Sequence, residues 1–193
     1  MITLEKPFSE NSRRKKIVFL HGFLGDADEF KHIGRILERT HDVGYAGMSG
    51  LSCHASAGLH PCKGWHPGLH LVGYSMGGRI ALQIASRFSY LVRRLTLISA
   101  SPGIACTKER RARLRHDRAL AQNLRRVGMR EFLSFWYRQP LFREFRSHPH
   151  FHHLVQRRMM QDPIEQAAIL EEFSTGALPS LWDVIPRLDM PID

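Results

Sequence analysis

The chain has little cysteine, little acid and no long apolar run, and each shortage closes off a class of protein. Three cysteines in 193 residues (Cys53, Cys62 and Cys106), with no CxxC pair, make no disulfide framework. A chain of this length buries a core without covalent staples, and sparse, odd-numbered thiols point to a reducing compartment. The longest clean apolar run, residues 17–20, is far too short to cross a bilayer. Residues 1–16 carry basic side chains but no apolar segment of the kind that marks a secretory signal. With 43% hydrophobic and 24% charged residues, the composition is that of one globular domain.

The shortage of acid is the unusual feature. Eighteen Asp and Glu face 28 Lys and Arg, a net charge of +10, with twelve histidines besides. Such a field attracts nucleic acid, acidic lipid headgroups and polycarboxylate metabolites alike. No helix-turn-helix, RNP-like or zinc-finger signature accompanies it, so specific nucleic-acid recognition is not indicated. Much of the excess lies in residues 108–126, KERRARLRHDRALAQNLRR. That run reads either as a solvated helix face or as a wall of arginines over an anionic pocket.

Hydrophobic spacing predicts a buried strand at residues 17–20, a helix over 27–39, a strand at 70–74, a helix over 76–88 and a strand at 95–99. From 107 to about 185 the pattern is helical, punctuated at Gly128, Pro140, Pro149, Pro163, Gly176 and Pro179. Strand–helix alternation followed by a helical block implies a parallel α/β sheet carrying a helical cap. Residues 42–69, rich in Gly, Ser, His and Cys, show neither period, and no strand or helix is expected there. Zinc would be the rival explanation for that stretch, through Cys53, His54, His60, Cys62, His66 and His70. Their spacing matches no structural zinc pattern, so no metal site is assigned.

The strongest chemical signal is Gly73-Tyr74-Ser75-Met76-Gly77-Gly78, a G-x-S-x-G between a predicted strand and a predicted helix. A serine at so sharp a turn presents its hydroxyl clear of the backbone, and close approach on either side demands glycine. The helix start then aims free N–H groups at a reacting oxygen. His21-Gly22-Phe23, ending the first strand, supplies the second half of an oxyanion hole, with the backbone amides of Phe23 and Met76 as donors.

These motifs resemble the α/β-hydrolase superfamily. More narrowly, VFLHGFLGD (residues 18–26), LVGYSMGGRIAL (71–82), LISASPG (97–103), FLSFWYRQPLF (132–142), RSHPHF (146–151) and TGALPSLWD (175–183) resemble the 2-succinyl-6-hydroxy-2,4-cyclohexadiene-1-carboxylate synthase family of menaquinone and phylloquinone biosynthesis. The resemblance covers about 150 residues. It implies an α/β-hydrolase-fold domain over residues 1–193: a core at 16–104, a helical cap at about 105–186 and the start of a returning core strand at 187–193. It also implies a carbon–oxygen lyase that needs no cofactor and removes pyruvate from a cyclohexene bearing several carboxylates. Such an enzyme would be cytoplasmic, or plastid in a photosynthetic eukaryote. As the resemblance has it, Ser75 is a base that takes a ring proton, while Tyr74, Arg79, Arg113, Trp136 and Arg158 hold the substrate, Arg157 offering the neighbouring register for the last. Arginine suits such a substrate because its planar fork grips carboxylates bidentately.

Two departures qualify the match. The fold orders its triad serine, acid, histidine along the chain, yet no histidine follows His153, and Asp193 lies short of the family's acid position, a truncation relative to the family. A cap histidine (His148, His150, His152 or His153) with Asp183 or Asp189 would be a substitute only by reaching Ser75 from an unrelated direction; a polar helix surface is the plainer reading. The other departure is the 42–69 stretch. A carboxylesterase of the same fold and a non-catalytic anion-binding protein remain as alternatives. Nothing in the sequence speaks to oligomeric state.

Overall fold

A computed structural model describes residues 3–5, 8–9, 12–48 and 65–193. Cys53, His54, His60 and Cys62 of the weighed zinc set lie outside the described residues. Five strands form one sheet in the order β1-β3-β2-β4-β5: β1 (Thr3–Leu4), β2 (Lys15–Leu20), β3 (His41–Gly47), β4 (Leu69–Tyr74) and β5 (Val92–Ile98). The neighbours from β3 to β5 run parallel, and β1 is antiparallel on the outer edge of β3.

Side chains alternate across the central strand, as a pleat requires. Ile17 and Phe19 of β2 pack with Phe30, Tyr45 and Val72 on one face, where α1 (Asp28–Leu37) lies. Val18 and Leu20 join the larger core on the other face, with Leu71, Leu95 and the apolar side of α2 (Met76–Arg87). Burial on both faces explains why β2 and β4 read as short apolar runs rather than as alternations.

β3 overturns the expectation that residues 42–69 hold no strand. It pairs with β2 from Lys15↔His41 to Leu20↔Ala46. Its sequence, HDVGYAG, hides it, because Gly and Ala carry little strand preference. Packing supplies what propensity lacks: Tyr45 stacks 6.0 Å from Phe19, and a side chain at Gly44 would come within 2.9 Å of Phe8. The amino-terminal stretch, where the hydrophobic spacing predicts no element, contributes β1 and the start of β2. β5 begins three residues before the apolar run that announced it, because exposed Arg93 and Arg94 interrupt the pattern.

Beyond β5 the chain is helical: α3 (Thr107–Trp136), α4 (Phe151–Met159) and α5 (Pro163–Glu172), with 3₁₀ turns at Pro140–Phe142 and Phe145–Ser147. Gly128 breaks α3 with a positive-φ conformation open to glycine, φ 75° and ψ 176°. Asp162 caps α5, its side chain accepting the Ile164 amide at 2.8 Å. Residues 173–184 leave the helical pattern expected of them, turning over a 174–178 bend instead. The chain then returns to the sheet. The Leu95 amide donates to Pro191 and the Asp193 amide to Leu95, each at 3.0 Å, so residues 191–193 run parallel to β5.

Candidate active site

Ser75 is the single residue between β4 and α2, with φ 53° and ψ −112°, a backbone conformation that L residues rarely adopt. Its amide is tied to Ile98 O at 2.9 Å. Steric contact dictates the glycines around it. A Cβ at Gly77 would strike the carbonyl oxygens of Leu20 and His21, and one at Gly73 would sit 2.5 Å from Gly78 Cα. The helix therefore starts flush against the end of β2, and Ser75 is squeezed out at the top of the sheet.

Met76 opens α2, so its N–H has no intrahelical acceptor. The facing loop turns tightly, with Gly25 N donating to Gly22 O at 3.0 Å and Leu24 at φ 61°. Neither the Phe23 nor the Met76 amide is spent on another backbone bond among the described residues. His21 is buried behind this turn, its Nδ1 2.9 Å from Gly22 O, and desolvation lowers its pKa below the usual histidine value.

A cavity of about 750 Å³ opens above the elbow. Tyr74, Ser75 and Ser99 form its floor, Asp28 and Glu29 at the start of α1 one side, and cap residues from Leu141 to Arg158 the remainder. The cap arginines bind the α1 acids. Arg158 meets Glu29 at 2.6 Å and also donates to the Tyr137 hydroxyl, while Arg157 bonds Asp26 and lies 3.5 Å from Asp28. Burial raises the Tyr137 pKa.

The expected site residues thus fall into three groups. Tyr74, Ser75 and Arg158 share the cavity, with Arg157 beside them. Trp136 and the Phe23 ring stand behind its wall, 5.5 Å apart edge to face, and Phe132 and Phe142 complete the stack. Arg79 of α2 and Arg113 of α3 lie outside the cavity lining, though near enough for the charge of Arg113 to act on Arg79. Arg79 donates to Phe173 O at 3.3 Å and leaves its buried Nε unpaired. Burial first, and then Arg113, pull its pKa down to about 10. The rest of the 108–126 run is mostly solvated helix face. Among the described residues the Ser75 hydroxyl makes no hydrogen bond, although His150 and His153 line the same cavity.

Sequence reasoning missed Asp26, Asp28 and Glu29. The available signal was an acidic cluster directly after HGFLG, opposite in charge to Arg157-Arg158 but distant in sequence. A second cavity, about 400 Å³ and lined by Lys15, Lys16, His41, His70, Arg93 and Arg94, lies at the starts of the strands. That is the wrong end for the chemistry of an open parallel sheet, whose ligands sit at the strand ends.

A family model described as alpha/beta hydrolase fold matches residues 63–163. The chain is an α/β-hydrolase. This α/β-hydrolase is similar to the protein PHYLLO, chloroplastic, of Arabidopsis thaliana, at 31% identity over 205 residues and 95% of the chain. It is also similar to 2-succinyl-6-hydroxy-2,4-cyclohexadiene-1-carboxylate synthase of Klebsiella pneumoniae subsp. pneumoniae, at 28% identity over 191 residues and 91% of the chain. Among solved structures, MenH from S. aureus superimposes over 99% of the chain with a TM-score of 0.81 and 26% identity. The chain spans 12% of the plant protein, 73% of the Klebsiella synthase and 77% of the MenH chain. The narrower resemblance and the fold expected from sequence both stand on these matches.

Proposed function

We propose that this α/β-hydrolase is a lyase of the quinone-pathway type, binding a small cyclohexene polycarboxylate and releasing pyruvate from it. One observation carries the reading: Ser75 and Arg158 line the same cavity, the first at an elbow with free amides and the second on the cap. In this reading the arginines orient the substrate, Ser75 Oγ accepts a ring proton, and the amides of Phe23 and Met76 stabilise the charge that develops as pyruvate departs. The relatives' names support the reaction class.

A serine hydroxyl becomes a competent base only with a partner to receive its proton, and Ser75 has none among the described residues. Substrate binding is therefore expected to be intact in this chain and turnover slow, lower by about 10²–10⁴ than with a positioned base.

The test is pyruvate release from the cyclohexene polycarboxylate, followed with lactate dehydrogenase, alongside calorimetric binding of tricarballylate. Release above background that Ser75→Ala abolishes supports the lyase. Covalent turnover of a p-nitrophenyl ester without pyruvate would assign a carboxylesterase. Failure to bind any polycarboxylate would remove the reading altogether.

A further inference from the structure

The four parallel strands carry basic residues at their starts, and the pairing draws them into one row. Lys15 of β2 lies beside His41 of β3, Ile17 beside His70 of β4, and His70 beside Arg94 of β5. Alternation along each strand decides which way these side chains face. Ile17, Phe19, Tyr45 and Val72 pack with Phe30 of α1, so Lys15, His41 and His70, an even number of residues away, stand on that same face. Leu95 belongs to the opposite core, which turns Arg94 to the α1 face as well. His70 Nε2 accordingly lies 2.8 Å from the hydroxyl of Thr96, two residues beyond Arg94. A register shift between β4 and β5 adds Arg93 as an extra residue.

These residues, with Lys16, line the cavity of about 400 Å³ at this end of the sheet, and among the described residues no acid lines it. Asp193 answers Arg94 alone among the four cations, accepting from it at 2.7 and 2.8 Å and from the Thr96 hydroxyl at 3.3 Å. Lys16 donates to Ser12 O at 3.3 Å. The side chains of Lys15 and Arg93 have no hydrogen-bond or ion-pair partner among the described residues. The surplus acts on the cavity itself: burial first, and then the charge of Arg94, hold the His70 pKa below the usual histidine value. Neighbouring strands run about 4.8 Å apart, so cations in such a row repel one another until an anion enters. A carboxylate or a single phosphate would leave most of them unanswered, whereas a chain of phosphoryl groups spreads several charges along the row. Lysine supplies point charges and arginine a fork, both suited to phosphoryl oxygens. No Phe, Tyr or Trp lines the cavity among the described residues, so a nucleobase has nothing to stack on.

We propose that this cavity binds a short phosphate chain, two or three phosphoryl groups long, gripped by Lys15, Lys16, Arg93 and Arg94 with His41 and His70 as hydrogen-bonding partners. The site stands at the opposite end of the strands from Ser75, about 20 Å away for a six-residue strand. It binds without chemistry and does not rest on the lyase reading.

The test is calorimetry of the 193-residue chain with inorganic triphosphate in metal-free buffer at about 0.15 M salt, where attraction between well-separated charges is largely screened. Lys15→Gln with Arg93→Gln is expected to weaken triphosphate about thirtyfold, as two charge-assisted contacts are lost. The same charge removed from α3, by Lys108→Gln with Arg111→Gln, should change affinity less than about twofold. All four side chains are exposed, so neither pair of substitutions threatens the fold. Equal losses in the two double variants would show general attraction to a basic chain and overturn the site, as would the absence of binding at this salt. ATP is expected to bind no more tightly than triphosphate; a preference for ATP above about tenfold would show that a base is read and overturn the assignment to the phosphate chain. The location has its own readout. The His70 ring senses Arg94, Asp193 and His41, and its NMR titration is expected to move to higher pH when triphosphate enters beside it. A titration that stays in place overturns the site even where triphosphate binds.

Discussion

The floor and the roof of the Ser75 cavity are built by opposite means. The floor is steric and local: a β-carbon at Gly73 would strike Gly77 O and Gly78 Cα, and one at Gly77 would strike Leu20 O and His21 O. The roof is electrostatic and long-range, with Arg157 and Arg158 of α4 reaching about 130 residues back in the sequence to Asp26, Asp28 and Glu29. A steric floor has one arrangement, because packed backbone cannot yield by degrees. Ion pairs between two elements can part and re-form with another anion. The difference teaches where this molecule is able to adapt: at the cap, where a carboxylate-bearing ligand would compete for the same guanidiniums, and not at the serine.

The largest effect should come from adding one methyl to the floor. Gly77→Ala is expected to cost about 3 kcal/mol or more in urea unfolding, and a loss below about 0.5 kcal/mol would show that the floor can yield. At the roof, Glu29→Gln removes a charge from a mostly buried pair and should cost about 1–3 kcal/mol. It should also tighten tricarballylate several-fold by freeing Arg158; unchanged or weaker binding would break the idea that Glu29 competes with ligand.

Smaller still is the pH response of the floor. His21 is held neutral by burial, below the unfolded value of 6.5. Below that pH the unfolded chain takes up the proton more readily than the folded one, so this contribution is complete above 6.5 and lost as pH falls toward the lower folded value. The melting temperature should therefore decline on acidification, and His21→Gln should flatten the decline. An unchanged slope would show that His21 is not the group responsible. The smallest effect is expected outside both regions. Arg94→Ala removes a bidentate bond to Asp193 at 2.7 and 2.8 Å, but both partners are exposed. No shift in melting should be measurable at ordinary salt, and a clear one would mean that the returning strand is held by this pair.

The same contrast governs what could be read from the residues alone. β2, β4, α2 and the serine elbow were legible because a few consecutive residues determine each of them. β3 was not, since Gly44 and Ala46 suit a strand only once Phe8, Phe19 and Tyr45 surround it. The helical cap was legible as punctuation, with Gly128, Pro140 and Pro163 falling at real breaks, but the departure from helix after Phe173 was not. Arg113-x-x-x-Asp117 was visible as spacing, whereas the Ser174 hydroxyl that donates to Asp117 comes from a loop 57 residues further on. The pairing of Arg158 with Glu29 carries no sequence signal beyond opposite sign.

The positive-φ backbone of Ser75 has a consequence for thermal stability. Glycine would occupy φ 53° at ease and would remove the β-carbon from a crowded turn. Ser75→Gly is therefore expected to melt higher than its parent, and the rise in melting temperature measures what a serine at positive φ costs this fold.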